Sequence, residues 1–178
     1  MDLYNETVIN VAALLQEPVG STRSYPLRLA GFPLDEDMLA EDIEGEVKVV
    51  RLAEELLANV AAHGAVELEC DRCLREYHQP FTTRFAAEFR PTVDVRTGID
   101  IAAADGDERF TIDDSHQLDV AEPLRQEILV ALPMRAICGD DCPGPDVPLG
   151  DDEGKVDERF AALAQLLDNT NDDTRQTN

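Results

Sequence analysis

Four cysteines are the residues of this chain best suited to chemistry, and they fall in two close pairs. Cys70 and Cys73 form C-x-x-C, and Cys138 and Cys142 form C-x-x-x-C. Zinc takes four thiolates in a tetrahedron, and two short cysteine turns brought together supply them. One ion held this way would tie two distant turns and close the long stretch of chain between them. Two other states stay open: reduced thiols without metal, and a thiol–disulfide switch. The redox state has less support, because a redox C-x-x-C leads directly into a helix that lowers the thiolate pKa. Here Cys73 is followed by LREYHQP and another strand-like run. A catalytic zinc would want His or carboxylate ligands and an open position. His78, five residues past Cys73, is placed to substitute for a cysteine or to lie on the surface, whereas His63 and His116 have no ligand spacing.

Other chemistry is missing from the sequence. There is no Gly-rich phosphate loop, nucleotide-binding fingerprint, H-E-x-x-H or nucleophile elbow. The carboxylates Asp113-Asp114 and Asp151-Asp152-Glu153 sit in Asp- and Gly-rich stretches that read as solvated loops. The expectation is a protein that is not an enzyme. Its 178 residues carry 38 acidic against 15 basic side chains, for a net charge of -23. Such a chain repels phosphate backbones at long range, which argues against an ordinary DNA-binding protein. Arg72, Arg75, Arg84, Arg90 and Arg96 make the one long stretch of slightly positive balance. Arg72, Arg75, Tyr77 and His78 could contact RNA phosphates or stack on bases; the alternative is that the arginines pair with neighbouring carboxylates. No apolar run is long enough to span a membrane and no secretory pattern opens the chain, so a cytoplasmic protein is expected.

The elements that must position the cysteines can be read from periodicity. A short helix is expected after Asn10, with Val11, Leu14 and Leu15 on one face and Glu17-Pro18 as its stop. Tyr25, Leu27 and Leu29 alternate, with Pro26 pointing to an edge strand. A strand is expected over residues 47–52; residues 53–62, where Leu56, Leu57 and Val60 could line a helix, read instead as a further strand, broken at His63-Gly64 before the alternation of Val66, Leu68 and Cys70. Phe81, Thr83, Phe85, Ala87 and Phe89 define one face of the next strand. Residues 93–117 read as a long Asp-rich loop with a brief strand at 109–112. A helix follows over residues 120–131, capped by Asp119 with Glu122 completing a capping box, and ended by Pro133. A last helix is expected over residues 156–167 and a disordered tail over 169–178. The fold expected is α+β: a mainly antiparallel, barrel-like sheet with a long packed helix and a C-terminal helix, making one domain over residues 1–168.

Three segments carry a resemblance: INVAALLQEPVGSTRSY near the start, CDRCL at the first cysteine pair, and LDVAEPLRQEILVALPMRAIC running into Cys138. Together, and with DERFAALAQLL near the end, they resemble the YceD-like family of large ribosomal RNA subunit accumulation proteins. The resemblance implies a non-enzymatic ribosome-biogenesis factor that supports synthesis, processing or stability of large-subunit ribosomal RNA. Its partner would be that RNA's precursor or a basic ribosomal protein, for which residues 35–46 offer an acidic cluster. The alternative is a zinc-stabilised cytoplasmic adaptor with no ribosomal role. Many family members follow the second cysteine pair with a further G-L-C-x-x-C-G knuckle, and here the stretch reads PGPDVPLG. If the family's metal depends on that knuckle, this chain has lost it; if the structural zinc site is Cys70, Cys73, Cys138 and Cys142, it is intact, and the second is the expectation. Oligomeric state is not legible.

Overall fold

The computed structural model describes residues 6–101 and 109–145. In chain order the elements are β1 (Val8–Asn10), α1 (Ala12–Gln16), β2 (Thr22–Pro33), β3 (Leu39–Arg51) and β4 (Leu56–Glu69), then β5 (Glu76–Pro91), β6 (Phe110–Ile112), β7 (Gln117–Asp119) and α2 (Ala121–Ala131). All seven strands join one sheet in the order β1-β7-β6-β5-β4-β3-β2. Neighbours are antiparallel except β5 and β6, which are parallel across the long connection.

The expected α+β fold is overturned. Half of the described residues are strand and 12% are helix, and the sheet curls into a half-barrel. The helix expected over residues 120–131 forms as α2, but its eleven residues cannot build a helical layer. They lie against β5, and Arg125 reaches the Leu34 carbonyl at the β2–β3 turn with a 3.3 Å hydrogen bond. Pro123, Leu124 and Ile128 of α2 are buried, as are Leu14 and Leu15 of α1. Two short helices thus fill the inside of a curled sheet. The helix expected over residues 156–167 and the tail at 169–178 lie outside the described residues.

The curl follows from the sequence. In β4 the even-numbered Leu56, Ala58, Val60, Ala62 and Val66 are all buried. The alternation runs through His63-Gly64, so the expected break there does not exist. In β3 the buried set passes from Ala40 to Ile43, Val47 and Val49, a change of parity. A bulge opposite β4, between Glu41 and Glu44, supplies the extra residue, and Asp42 takes a left-handed φ of 50° within it. Such an insertion sharpens local twist while keeping the apolar residues on the core side. Gly45 and Gly64 make the close approach possible. A Cβ at Gly64 would lie 2.9 Å from the Glu41 carbonyl oxygen, and one at Gly45 would lie 2.9 Å from Cα of Ala62 and against the Ala61 carbonyl.

β3 begins at Leu39, well before the strand expected from residue 47, and points Asp42, Glu44 and Glu46 to solvent. Val8–Asn10 and Gln117–Asp119 also pair as β1 and β7, two strands that periodicity does not indicate. Asp119 accepts the Ala121 N–H at 2.9 Å, but Glu122 pairs with Arg125 and Gln126 instead of closing a capping box. No helix among the described residues is long and apolar enough to cross a membrane.

Candidate metal centre

The β4–β5 hairpin positions the first cysteine pair. Its ladder runs without interruption from Leu56↔Phe89 to Glu69↔Glu76. Cys70 continues the even-numbered parity of β4, which turns its side chain inward, and it is fully buried. The hairpin closes through Cys70 N–H to the Arg75 carbonyl at 2.9 Å and Leu74 N–H to the Cys70 carbonyl at 2.8 Å. This tight tip carries Cys73 back beside Cys70. Leu74 holds a left-handed φ of 57° and is two-thirds exposed.

The second pair arrives on the irregular segment after α2, which Pro133 keeps from continuing as helix. Asp71 clamps that segment. Its N–H donates to the Ala136 carbonyl at 2.8 Å, and its Oδ2 accepts the Ala136 N–H at 2.9 Å. Cys138 N–H then points at Cys70 Sγ, 3.4 Å away, and Cys142 N–H closes a turn onto the Gly139 carbonyl at 3.2 Å.

The four cysteines converge. Cys70 Sγ lies 3.7 Å from Cys142 Sγ, Cys73 Sγ lies 3.8 Å from Cys138 Sγ, and no pair is more than 4.8 Å apart. A tetrahedron with zinc–sulfur bonds of about 2.3 Å has sulfur–sulfur edges of about 3.8 Å. A disulfide would need one pair to close to about 2.05 Å, and all four are free thiols. The cluster can therefore hold a metal ion with small adjustments of side chains already in place.

Its electrostatics point the same way. Burial opposes ionisation of Cys70, yet the N–H groups of Cys138, Cys73 and Arg72 directed at its sulfur prevail and hold the thiol down to about 6. The Arg75 N–H lowers Cys73, against a smaller effect of burial. Cys138 is pushed up to about 12, first by its hydrogen bond with Cys142 and then by burial and the other two thiols. Thiolates this close repel, so the last one keeps its proton unless a cation joins them. A divalent ion removes that conflict.

Of the expected contact residues, Arg72, Arg75 and His78 are exposed and Tyr77 is half-buried. The Arg75 guanidinium bonds Cys73, which raises its pKa. Tyr77 is half-buried and donates to Gln79 Oε1 at 3.2 Å, and its pKa is raised first by burial and then by Cys70 and Asp71. His78 lies 3.7 Å from Glu41 on the outer face. The clamp by Asp71 was missed in the sequence. An Asp directly after a metal-ligand cysteine, free to turn its carboxylate to a neighbouring backbone, was the available signal.

Residues 58–167 match the family described as large ribosomal RNA subunit accumulation protein YceD, a span holding all four cysteines. No curated protein and no solved structure matches the chain.

Proposed function

The chain belongs to the YceD family of large ribosomal RNA subunit accumulation proteins, and from that premise we propose a non-enzymatic, cytoplasmic ribosome-biogenesis factor built around one structural zinc. Cys70, Cys73, Cys138 and Cys142 are its ligands. The ion pins the segment after α2 to the hairpin tip and performs no reaction, since four thiolates leave no open position.

The factor acts by holding a basic segment of a ribosomal protein. The observation that carries this reading is an acidic concavity of about 360 Å³, where Asp35, Glu36 and Asp37 of the β2–β3 turn meet Glu67 and Glu69 of β4. Met38 and Leu68 lie among these carboxylates. Lysine and arginine side chains can place their aliphatic stems on such apolar residues and their charges on the acids. RNA is the second reading. The exposed Arg72 and Arg135 flank the metal centre and favour it, although Arg75 is engaged by Cys73.

Depletion of the protein should lower large-subunit ribosomal RNA relative to small-subunit RNA. Unchanged RNA would overturn the ribosomal role and leave a zinc-stabilised adaptor. Cosedimentation with large-subunit precursors then separates the partners. Neutralising Asp35, Asp37 and Glu67 should abolish it, whereas reversing Arg72 and Arg135 should not. The opposite pattern would establish RNA as the partner.

A further inference from the structure

A second feature lies at the end of the β4–β5 hairpin opposite the cysteines. There the last residues of β3 and β5, the β3–β4 turn, α1 and the segment after β5 enclose a cavity of about 320 Å³. Leu15, Val93, Val95 and Ile101 give it apolar walls, and Arg51 and Arg90 also line it. The Nε atom of Arg51 is shut off from solvent and has no hydrogen-bond partner among the described residues. Its Nη1 makes one long contact, 3.3 Å, with the Glu55 carbonyl, which the Leu52 N–H already engages at 2.9 Å. None of the ion pairs among the described residues involves Arg51.

A buried donor of a charged group without a partner costs free energy. In a chain with more than twice as many acids as bases, a carboxylate could readily have satisfied it. Glu17, Glu55 and Asp94 are committed elsewhere, and Glu54, exposed on the cavity wall, forms no ion pair with Arg51. Glu55 takes Arg109 at 3.0 Å, and Glu17 pairs with Arg23. Oδ1 of Asp94, which also lines the cavity, accepts the N–H groups of Arg96 and Thr97 and the Thr97 hydroxyl. Arg51 thus stands on the wall of a cavity of the lower size typical for small ligands, with no carboxylate of the described residues paired to its guanidinium.

We infer that this cavity binds a small organic oxyanion, a carboxylate or phosphate joined to an apolar body, with Arg51 donating to the oxyanion and the aliphatic wall holding the body. Guanidinium groups bind both anions through paired N–H donors. The site is independent of the metal centre and of the ribosomal partner.

The test titrates the full chain with inorganic phosphate, the four nucleoside 5′-monophosphates and phenylpropionate, read by calorimetry and amide chemical shifts. At least one probe with an organic body should bind saturably and more tightly than phosphate alone, shifting the amides of Leu15, Val93 and Ile101. A nucleotide or the carboxylate as the tighter probe identifies the source of the anion. Arg51→Gln should weaken that binding by about tenfold or more. Without ligand, Arg51→Met keeps the aliphatic stem and removes the orphan donor, so its melting temperature should equal or exceed the parent's. Absence of saturable binding, an Arg51→Gln variant that binds as well, or an Arg51→Met variant that melts several degrees lower would each overturn the proposal.

Discussion

Removing the metal should release residues 133–144 and leave the sheet folded. The size of the effect can be worked from what else holds that segment. Among the described residues, none after Leu132 belongs to the apolar core or packs on it. Beyond weak thiol–thiol contacts and the Ile137 N–H beside the Tyr77 hydroxyl, its ties to the hairpin are the two Asp71–Ala136 hydrogen bonds and the Cys138 N–H to Cys70 Sγ. At about 1 kcal/mol each, these supply about 3 kcal/mol. Fixing a dozen residues costs about 12 kcal/mol or more in backbone entropy alone. A structural zinc contributes about 10–16 kcal/mol, so the segment is ordered with the ion and released without it. The β4–β5 ladder has no such dependence, because its inward residues from Leu56 to Val66 are buried among other strands. Hydrogen exchange read by mass spectrometry, on zinc-loaded and chelated protein with metal content measured in both, checks this. Peptides over 133–144 and the 70–75 tip should lose protection, while those within 56–66 and 81–89 keep theirs. Unchanged exchange over 133–144 after proven metal loss, melting of the whole sheet, or failure of the protein to take up zinc at all would refute the reasoning.

Three further outcomes are expected. Gly45→Ala forces β3 and β4 apart against the backbone of Ala61 and Ala62 and should cost about 2 kcal/mol in urea denaturation; Gly31→Ala, whose Cβ meets only the Leu39 methyls at 3.7 and 3.8 Å, should change stability by less than about 0.5 kcal/mol. Leu74→Gly relieves about 1–2 kcal/mol of left-handed strain and returns about 0.5–1 kcal/mol as chain entropy, so zinc affinity by chelator competition should hold or rise severalfold; a weaker site would mean the exposed Leu74 side chain supports it. Arg125 and then Gln126 hold Glu122 down to about 2 from its ordinary 4.5. The stability this adds is full above pH 4.5 and lost as pH falls toward 2, so Glu122→Gln should flatten the acid limb of the stability curve by less than about 1 kcal/mol for so exposed a pair.

The inner face of β5, the buried face of α1 and the extent of α2 were legible because each depends on local periodicity and a nearby stop such as Pro18 or Pro133. The fold class was not. β4 reads as helix or as two strands from its Ala, Glu and Leu content, and only pairing with β3 and β5 makes it one strand of fourteen residues. β1 and β7 have three residues each, and their ladder between distant segments leaves no pattern in either one alone. The bulge was hidden for a related reason. It corrects the parity of β3, so alternation counted through Ala40 and Ile43 breaks, and the strand is legible only from Val47.

The cysteine cluster shows how far spacing carries an argument. C-x-x-C and C-x-x-x-C fix which residues can share an ion, but not that two turns 65 positions apart in sequence meet. That meeting rests on parity and on one side chain. Were Cys70 shifted by one residue, β4 would turn its thiol to solvent and the pair would face away from the segment after α2. Asp71 then decides the approach, since its N–H and its carboxylate both hold Ala136, two residues before Cys138. The four sulfurs come close enough to share one ion from these residues alone. Asp71→Ala, which leaves every thiol in place, should therefore weaken zinc binding by removing only the carboxylate half of the clamp. Asp71→Asn, still able to accept the Ala136 N–H, should restore most of it. If both variants bind zinc like the parent, the thiols assemble around the ion unaided, and the clamp has no part in building the site.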